Sequence, residues 1–78
     1  MSRFYLNLFD DLVVLDEDGQ ELPDVPAALK QALQELRGLA AAQVAEGSLN
    51  LRHRIELEDA DRKHIATVTI RDAVSVTI

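Results

Sequence analysis

The stretch from Val25 to Glu46 constrains the fold of this chain more than any other, because it is the only long segment with helical periodicity. Asp24 is placed to cap its first turn, Pro26 occupies a position where a missing N–H costs nothing, and Gly47 suits a left-handed stop. Apolar residues recur every three or four positions and form one stripe, namely Val25, Leu29, Ala32, Leu33, Leu36, Ala40 and Val44. The sequence therefore predicts one helix whose apolar face a sheet must cover.

The segment before the helix predicts a β-hairpin. Residues 3–16, RFYLNLFDDLVVLD, contain two apolar runs that meet at Asp10 and Asp11, which tolerate a tight turn. We expect Phe9 to face Leu12 across the hairpin. In that register one face carries Phe4, Leu6, Leu8, Val13 and Leu15, and the other carries Tyr5, Asn7, Phe9, Leu12 and Val14. The first face is predicted to meet the helix. The following DEDGQELPD is interpreted as an acidic turn, because Gly19 tolerates positive φ and Pro23 ends extended structure.

A second hairpin is predicted after the helix. Residues 49–58 alternate between apolar and polar side chains, as a half-buried strand does, and residues 64–70 do the same. The two apolar faces coincide if Leu57 lies opposite Ala66, which leaves residues 60–63 as a loop. Either strand of this hairpin is a possible neighbour for the N-terminal strand.

The last segment continues the apolar series of the second hairpin. One strand from His64 to Ile78 would span about 50 Å, whereas the helix spans only about 33 Å. We therefore expect a break at Arg71 and Asp72. Residues 73–78, AVSVTI, are then a fifth short strand or an edge that pairs with another chain.

Composition excludes several classes of function. The chain has 78 residues, which we interpret as a single domain from residue 1 to residue 78, and it has no cysteine for disulfides or thiolate zinc sites. Its net charge of -6 repels a phosphate backbone, so nucleic acid is not an expected partner. The N-terminus lacks the apolar run of a signal peptide, and no stretch is long enough to span a membrane. We expect a cytoplasmic protein without a cofactor.

Candidate catalytic and metal-binding residues are few. Asp16, Glu17, Asp18 and Glu21 resemble a calcium loop in composition, but the first and twelfth ligand positions would fall on valines. Such a cluster is more typical of a solvated turn.

The two histidines are the natural candidates for proton transfer. The expected register separates His53 from His64 along the second hairpin, with His64 opposite Asp59 and His53 opposite Ile70. We therefore favour structural or surface roles for both and expect no metal site. Glu58, Asp59 and Asp61 could act as paired carboxylates, but they fall in a loop, where solvated acids are the simpler interpretation. We expect no enzymatic activity.

Basic residues of the second hairpin form a possible strip for nucleic acid. The strip comprises Arg52, Arg54, Arg62, Lys63 and Arg71. Glu56 and Glu58 interrupt it on the same face, and the chain offers only three aromatic residues for base stacking. Salt-bridged surface residues are the alternative interpretation, and we favour it.

The side of the sheet away from the helix, here called the outer face, is the most informative surface. We expect it to expose Tyr5, Phe9, Leu12, Val14 and Ile65. Contiguous apolar patches of this kind mark protein interfaces. The alternative is that the C-terminal strand or the acidic turn folds over the patch within one chain.

Three segments together resemble a known family. They are RFYLNLFD, the turn DEDGQELPD before an alanine-leucine helix, and RIELEDADRKHIATVTIRDAV. The combination resembles a family of short bacterial proteins known only as a domain of unknown function, for which no functional residues are established. A weaker likeness is to antitoxins of the HicB type, whose strand order differs.

Together these features predict an α+β domain of order ββαββ. One amphipathic helix packs on a mostly antiparallel four-stranded sheet. A short fifth strand at the C-terminus is an optional addition to this sheet. The expected function is a non-enzymatic protein-interaction module that self-associates as a homo-oligomer, in the first instance a dimer, or that binds an unidentified protein. The alternative is a small regulatory, antitoxin-like protein that binds nucleic acid or a toxin-like partner.

Overall fold

The computed structural model describes residues 1–77 and leaves Ile78 outside the described chain. Its elements are β1 (Ser2–Phe9), β2 (Val13–Val14), β3 (Gln20–Leu22), α1 (Val25–Ala45), β4 (Arg54–Glu58), β5 (His64–Thr69) and α2 (Ile70–Ala73). The predicted fold class is confirmed, because one long helix packs on an open antiparallel sheet. Within the described residues, no helix is long and apolar enough to cross a membrane.

Helix α1 begins at the predicted residue and ends at Ala45, one residue before the predicted end. Asp24 caps its start by accepting a hydrogen bond from the backbone N–H of Ala27 at 2.9 Å, and Gly47 has φ +89° just beyond its end. Its buried residues are Ala28, Ala32, Leu36 and Ala40. The predicted stripe was wrong at its ends, where Val25 and Val44 are exposed. Both residues lie in the terminal turns of α1, beyond the segment from Ala28 to Ala40 that packs on the sheet.

The sheet is organised around β1. Strand β4 pairs with one edge of β1, with Leu6 opposite Leu57, while β2 and β3 pair with the other edge, and β5 lies beyond β4. This order settles which strand of the second hairpin lies beside the N-terminal strand. The predicted register of β4 and β5 is confirmed, with Leu57 opposite Ala66. The core lies between the sheet and α1, where Leu36, Leu57 and Ile70 are its largest fully buried side chains.

The register predicted for the first hairpin was wrong by one residue. Leu8 lies opposite Val14 and Phe9 opposite Val13, instead of Phe9 facing Leu12. The cause is a longer turn, in which the carboxylate of Asp10 accepts from the N–H of Leu12 at 2.8 Å. Because side chains alternate along a strand, this shift moves Val14 to the same face as Leu8, which is the helix side.

Strand β3 is an addition to the predicted fold, because Gln20–Leu22 forms a strand where the sequence indicates only a turn. It pairs with the start of β1 and adds a fifth strand to the described sheet. Between β2 and β3 the chain does not pair with β1, and side-chain hydrogen bonds replace the backbone hydrogen bonds of a strand pair. The Asp16 carboxylate accepts from the N–H of Leu6 at 3.2 Å and of Gly19 at 2.9 Å. The N–H of Asp16 donates to the Asn7 side chain at 2.9 Å.

Strand β4 is shorter than the alternating pattern predicted, because it begins at Arg54 instead of Leu49. Asn50 bends the preceding residues into a turn. Its carbonyl accepts from the N–H of His53 at 3.3 Å, and its side chain accepts from the N–H of Arg52 at 2.9 Å. A residue that satisfies nearby backbone groups in this way competes with strand pairing.

The C-terminal strand predicted for residues 73–78 does not form in residues 73–77, and Ile78 lies outside the described residues. The break at Arg71 and Asp72 is the one-turn helix α2, whose start is fixed by reciprocal hydrogen bonds between Thr69 and Asp72. This turn buries Ile70 and Ala73 against α1. Arg37 also holds α2, because its Nε donates to the Ala73 carbonyl at 2.8 Å.

Candidate protein-interaction surfaces

The outer face does not expose its aromatic side chains as a bare apolar patch. The guanidinium of Arg54 lies 4.5 Å from the centre of the Phe9 ring, and that of Arg62 lies 3.5 Å from the centre of the Tyr5 ring. Arg54 is the direct cross-strand neighbour of Phe9. Both contacts have the geometry of cation–π pairs, so the rings are covered by residues that sequence analysis had assigned to a separate basic strip.

Acidic side chains hold these arginines in place. Glu56 Oε1 lies 3.2 Å from Arg54 Nε, and Glu58 Oε1 lies 3.2 Å from Arg62 Nη1. His64 Nε2 lies 3.3 Å from the other oxygen of Glu56. The outer face therefore carries a network of charged groups instead of an exposed apolar patch, and Arg54 and Arg62 form the salt bridges favoured for the basic strip.

The residues predicted for the outer-face interface are dispersed. Tyr5 and Phe9 lie under arginines, Val14 lies on the helix side, and Leu12 is in the exposed turn before β2. Ile65 packs against the buried core. It is the extra residue of a β-bulge, because Glu58 pairs with His64 while Leu57 pairs with Ala66, and this bulge also corrects the expected pairing of His64 with Asp59. The five residues do not form one surface.

The strongest exposed apolar feature lies at the edge of the sheet. Leu12, Val13, Val14 and Leu15 are each between 54% and 73% exposed, and we call these four residues the edge surface. Strand β2 is the last strand on this side of the described sheet, so part of its backbone faces solvent. Beside it runs a groove of about 610 Å³ whose apolar lining includes Leu8, Leu39 and Ile55.

The groove beside the edge surface is acidic along its rim. Asp16, Glu17, Asp18 and Glu35 all line it. Partial burial raises the pKa of the Glu35 carboxyl above its ordinary value, and the negative charge of Asp16 adds to this effect, while hydrogen bonds from Gln20 and Gln31 oppose it. The groove therefore combines an apolar floor with concentrated negative charge.

A second apolar surface lies on the other flank of α1. Its members are Ala41, Val44, Ala45, Leu49 and Val76, and we call them the C-terminal surface. They line a groove of about 580 Å³ in which Arg37 is the single charged residue among the described lining. Val44 and Val76 are more than 60% exposed. This surface thus differs from the edge surface in carrying almost no charge.

The histidines do not share a site. His53 is largely buried beside the end of α1, where its Nδ1 lies 2.6 Å from Gln43 Nε2 and its Nε2 lies 3.4 Å from Asp11 Oδ1. Gln43 Oε1 accepts from the N–H of Asn50 at 2.8 Å, so its amide nitrogen faces His53 and makes Nδ1 an acceptor. The ring therefore links the helix, the loop before β4 and the first turn, which is a structural role.

Acidic side chains are the remaining candidates for catalysis and metal binding. Among residues 1–77, no three His, Asp or Glu side chains are grouped so that they could hold a metal ion. Asp59, a candidate carboxylate, accepts from the N–H groups of Asp61 and Lys63 at 2.9 Å each and so shapes the loop before β5. The solvated-turn interpretation agrees with this geometry.

Fold and surfaces together define a small α+β domain with exposed apolar surfaces. The chain belongs to the family described as "Domain of unknown function (DUF6894)", whose sequence profile matches residues 3–71. The resemblance noted from the sequence is confirmed. The edge surface lies inside the matched region, whereas Val76 of the C-terminal surface lies beyond it. Comparisons with curated proteins and with solved structures found no match.

Sequence reasoning missed the edge surface although its signal was present. The stretch DDLVVLDED places four consecutive apolar residues between acidic residues. The sequence-based register places Val13 and Leu15 against the helix, whereas all four residues are more than half exposed at the edge of the sheet. The C-terminal surface is not predicted either, because the sequence pattern places Val44 in the core stripe of the helix and Val76 in a strand, whereas both are exposed.

Proposed function

We propose that this chain is a non-enzymatic protein-interaction module that self-associates through the C-terminal surface, most simply as a symmetric dimer. The observation that carries the proposal is a nearly uncharged apolar groove on a chain of net charge -6. Two copies of an acidic chain repel each other, so a contact between them is least opposed where acidic side chains are absent.

Apolar burial supplies the attraction in this proposal. Val44, Leu49 and Val76 are exposed in the single chain, and a second copy would remove them from water. A standard interface covers about 800 Å² on each partner, or about 15% of the 5215 Å² surface of this chain. The contact must therefore extend beyond the groove, and we expect moderate affinity.

The edge surface is a poorer place for self-association. An antiparallel pairing of two β2 strands would set the acidic residues that flank one strand against those of the other copy. Like charges directly opposite each other destabilise strand pairs. For this reason self-association is assigned to the C-terminal surface and not to the sheet edge.

The regulatory alternative has less support. A nucleic-acid contact would need the arginine strip, but Arg54 and Arg62 are engaged with aromatic rings and with Glu56 and Glu58. A bacterial, cytoplasmic setting belongs to the proposal, since the family resemblance and the absence of cysteine suit it.

The proposal is tested by sedimentation velocity over a wide range of concentrations. The wild type should form dimers that Val44→Lys reduces at least tenfold in association constant, because a lysine would be desolvated in the contact. Ala60→Lys is the matched control, since it adds the same charge at an exposed position of the loop before β5, near the opposite end of α1. A monomeric wild type at millimolar concentration, or equal weakening by both variants, would contradict the proposal.

A further inference from the structure

We propose that the edge surface binds an extended segment of a different protein, in which a short apolar stretch is flanked by lysine or arginine residues. The segment would add to the sheet as a strand beside β2. This inference shares with the proposed function only the premise that the chain acts by binding proteins, and it does not require self-association.

The backbone of β2 supplies the first part of the argument. Successive residues of a strand direct their N–H and C=O groups to opposite sides, so one of Val13 and Val14 directs its backbone toward β1 and the other directs it away. No described strand covers that outer side. An extended segment would satisfy these groups in the manner of β-augmentation.

The side chains supply the second part. The edge surface exposes four consecutive large apolar residues, and the groove beside it continues this apolar character toward Leu39 of α1. Alternate side chains of an added strand would lie on the two faces of the sheet. Those on the helix side would enter this groove, so the bound segment should carry apolar residues at its centre.

Charge identifies the ends of the bound segment. Residues 10–24 contain seven of the 14 acidic residues of the chain and no lysine or arginine. Asp10 and Asp11 lie at one end of the edge surface, and residues 16–18 lie at the other. A partner strand with basic residues outside its apolar centre would therefore meet negative charge at both ends.

Basic side chains of the chain itself neutralise part of this negative charge. The carboxylates without such a neighbour are available to a partner. His53 lies near Asp11, and Arg3 forms an ion pair with Glu21 at 2.9 Å. Within residues 1–77, the carboxylates of Glu17 and Asp18 form no ion pair. In the groove itself, burial is the main cause of the raised pKa of Glu35, and the negative charge of Asp16 adds to it.

The test measures binding of synthetic peptides to the full chain by isothermal titration calorimetry and by amide NMR. The probe is the capped peptide KRVTVKR, and two control peptides are KRVPVKR and EDVTVED. The first control keeps the charge but cannot donate from its central residue, and the second reverses the charge. We expect KRVTVKR to bind at least tenfold more tightly than either control and to shift the amides of residues 12–15.

Matched variants separate local charge from net charge. Glu17→Lys should weaken KRVTVKR about fivefold, because it reverses one charge at the rim of the groove. Asp61→Lys makes a similar change in the exposed loop before β5 and should leave the affinity unchanged. Far-UV circular dichroism should show the same helix content in both variants and in the wild type.

Three results would overturn the inference. Equal binding of KRVTVKR and KRVPVKR would show attraction by charge alone, and shifts confined to other residues would place the peptide elsewhere. Concentration-dependent shifts at residues 12–15 without peptide would show that a second copy occupies the edge. The two proposals can fail separately. A chain that binds the peptide but stays monomeric would contradict only the proposed self-association. A chain that forms the dimer but binds no peptide would contradict only this inference.

Discussion

Asp16 should contribute more to stability than any other acidic residue near the sheet edge. Its carboxylate accepts two backbone N–H bonds, from Leu6 in β1 and from Gly19 before β3. Each hydrogen bond to a charged acceptor contributes about 1.5–3 kcal/mol, and partial exposure of this pair favours the lower end. Asp16→Ala should therefore cost about 3 kcal/mol.

That loss is large for a chain of this size. A domain of 78 residues has a free energy of unfolding of about 4–12 kcal/mol at typical values per residue. The midpoint of thermal unfolding should fall by about 10–20 °C. Asp16→Asn keeps only one acceptor oxygen, so we expect about half the loss of Asp16→Ala.

Urea unfolding followed by far-UV circular dichroism measures these changes. Glu17→Ala is the control, because it removes the same charge from the next residue, which is exposed and makes no described hydrogen bond. It should change the free energy of unfolding by less than about 0.5 kcal/mol. If the free energies of unfolding of Asp16→Ala and Glu17→Ala differ by less than that amount, the hydrogen bonds accepted by Asp16 do not hold β2 and β3 to β1.

Three further predictions concern single positions. Glu35→Gln should stabilise the chain at pH 7, because the raised pKa of Glu35 means that its ionised form opposes folding. This gain in stability should shrink as the pH falls through the pKa of Glu35, and urea midpoints measured at several pH values would show it. Gly19→Ala should cost about 1–3 kcal/mol, because φ is +73° and an added Cβ would approach the Phe4 carbonyl oxygen to 3.0 Å; a normal midpoint would refute this. Arg62→Ala should uncover Tyr5 and increase binding of a hydrophobic dye with less than about 1 kcal/mol lost, whereas unchanged dye binding would show that the ring is not covered in solution.

The sequence was sufficient for the fold class because the helix and the second hairpin are locally specified. Asp24 and Gly47 bracket α1, and the alternating residues of β4 and β5 allow one register that buries both apolar faces. The bulge at Ile65 could not be predicted in this way. It adds one residue to a strand without disturbing the apolar pattern beyond Ala66.

The interaction surfaces were harder to predict because they depend on details of the turns. One extra residue in the turn at Asp10 moved Val14 from the outer face to the helix side. The arginines that cover Tyr5 and Phe9 reach them from another strand and from a loop, so their contacts follow from tertiary structure. Tyr5 and Phe9 are therefore covered by arginines, whereas the four apolar residues of the edge surface are exposed.

In the proposed dimer, the C-terminal surface is buried and the edge surface stays free. Amide NMR spectra recorded across a dilution series test this arrangement most directly, since they report which residues enter and leave a contact. We expect concentration-dependent shifts at Val44, Leu49 and Val76, with residues 12–15 unchanged. Shifts centred on residues 12–15, or spectra that do not change with concentration, would contradict it.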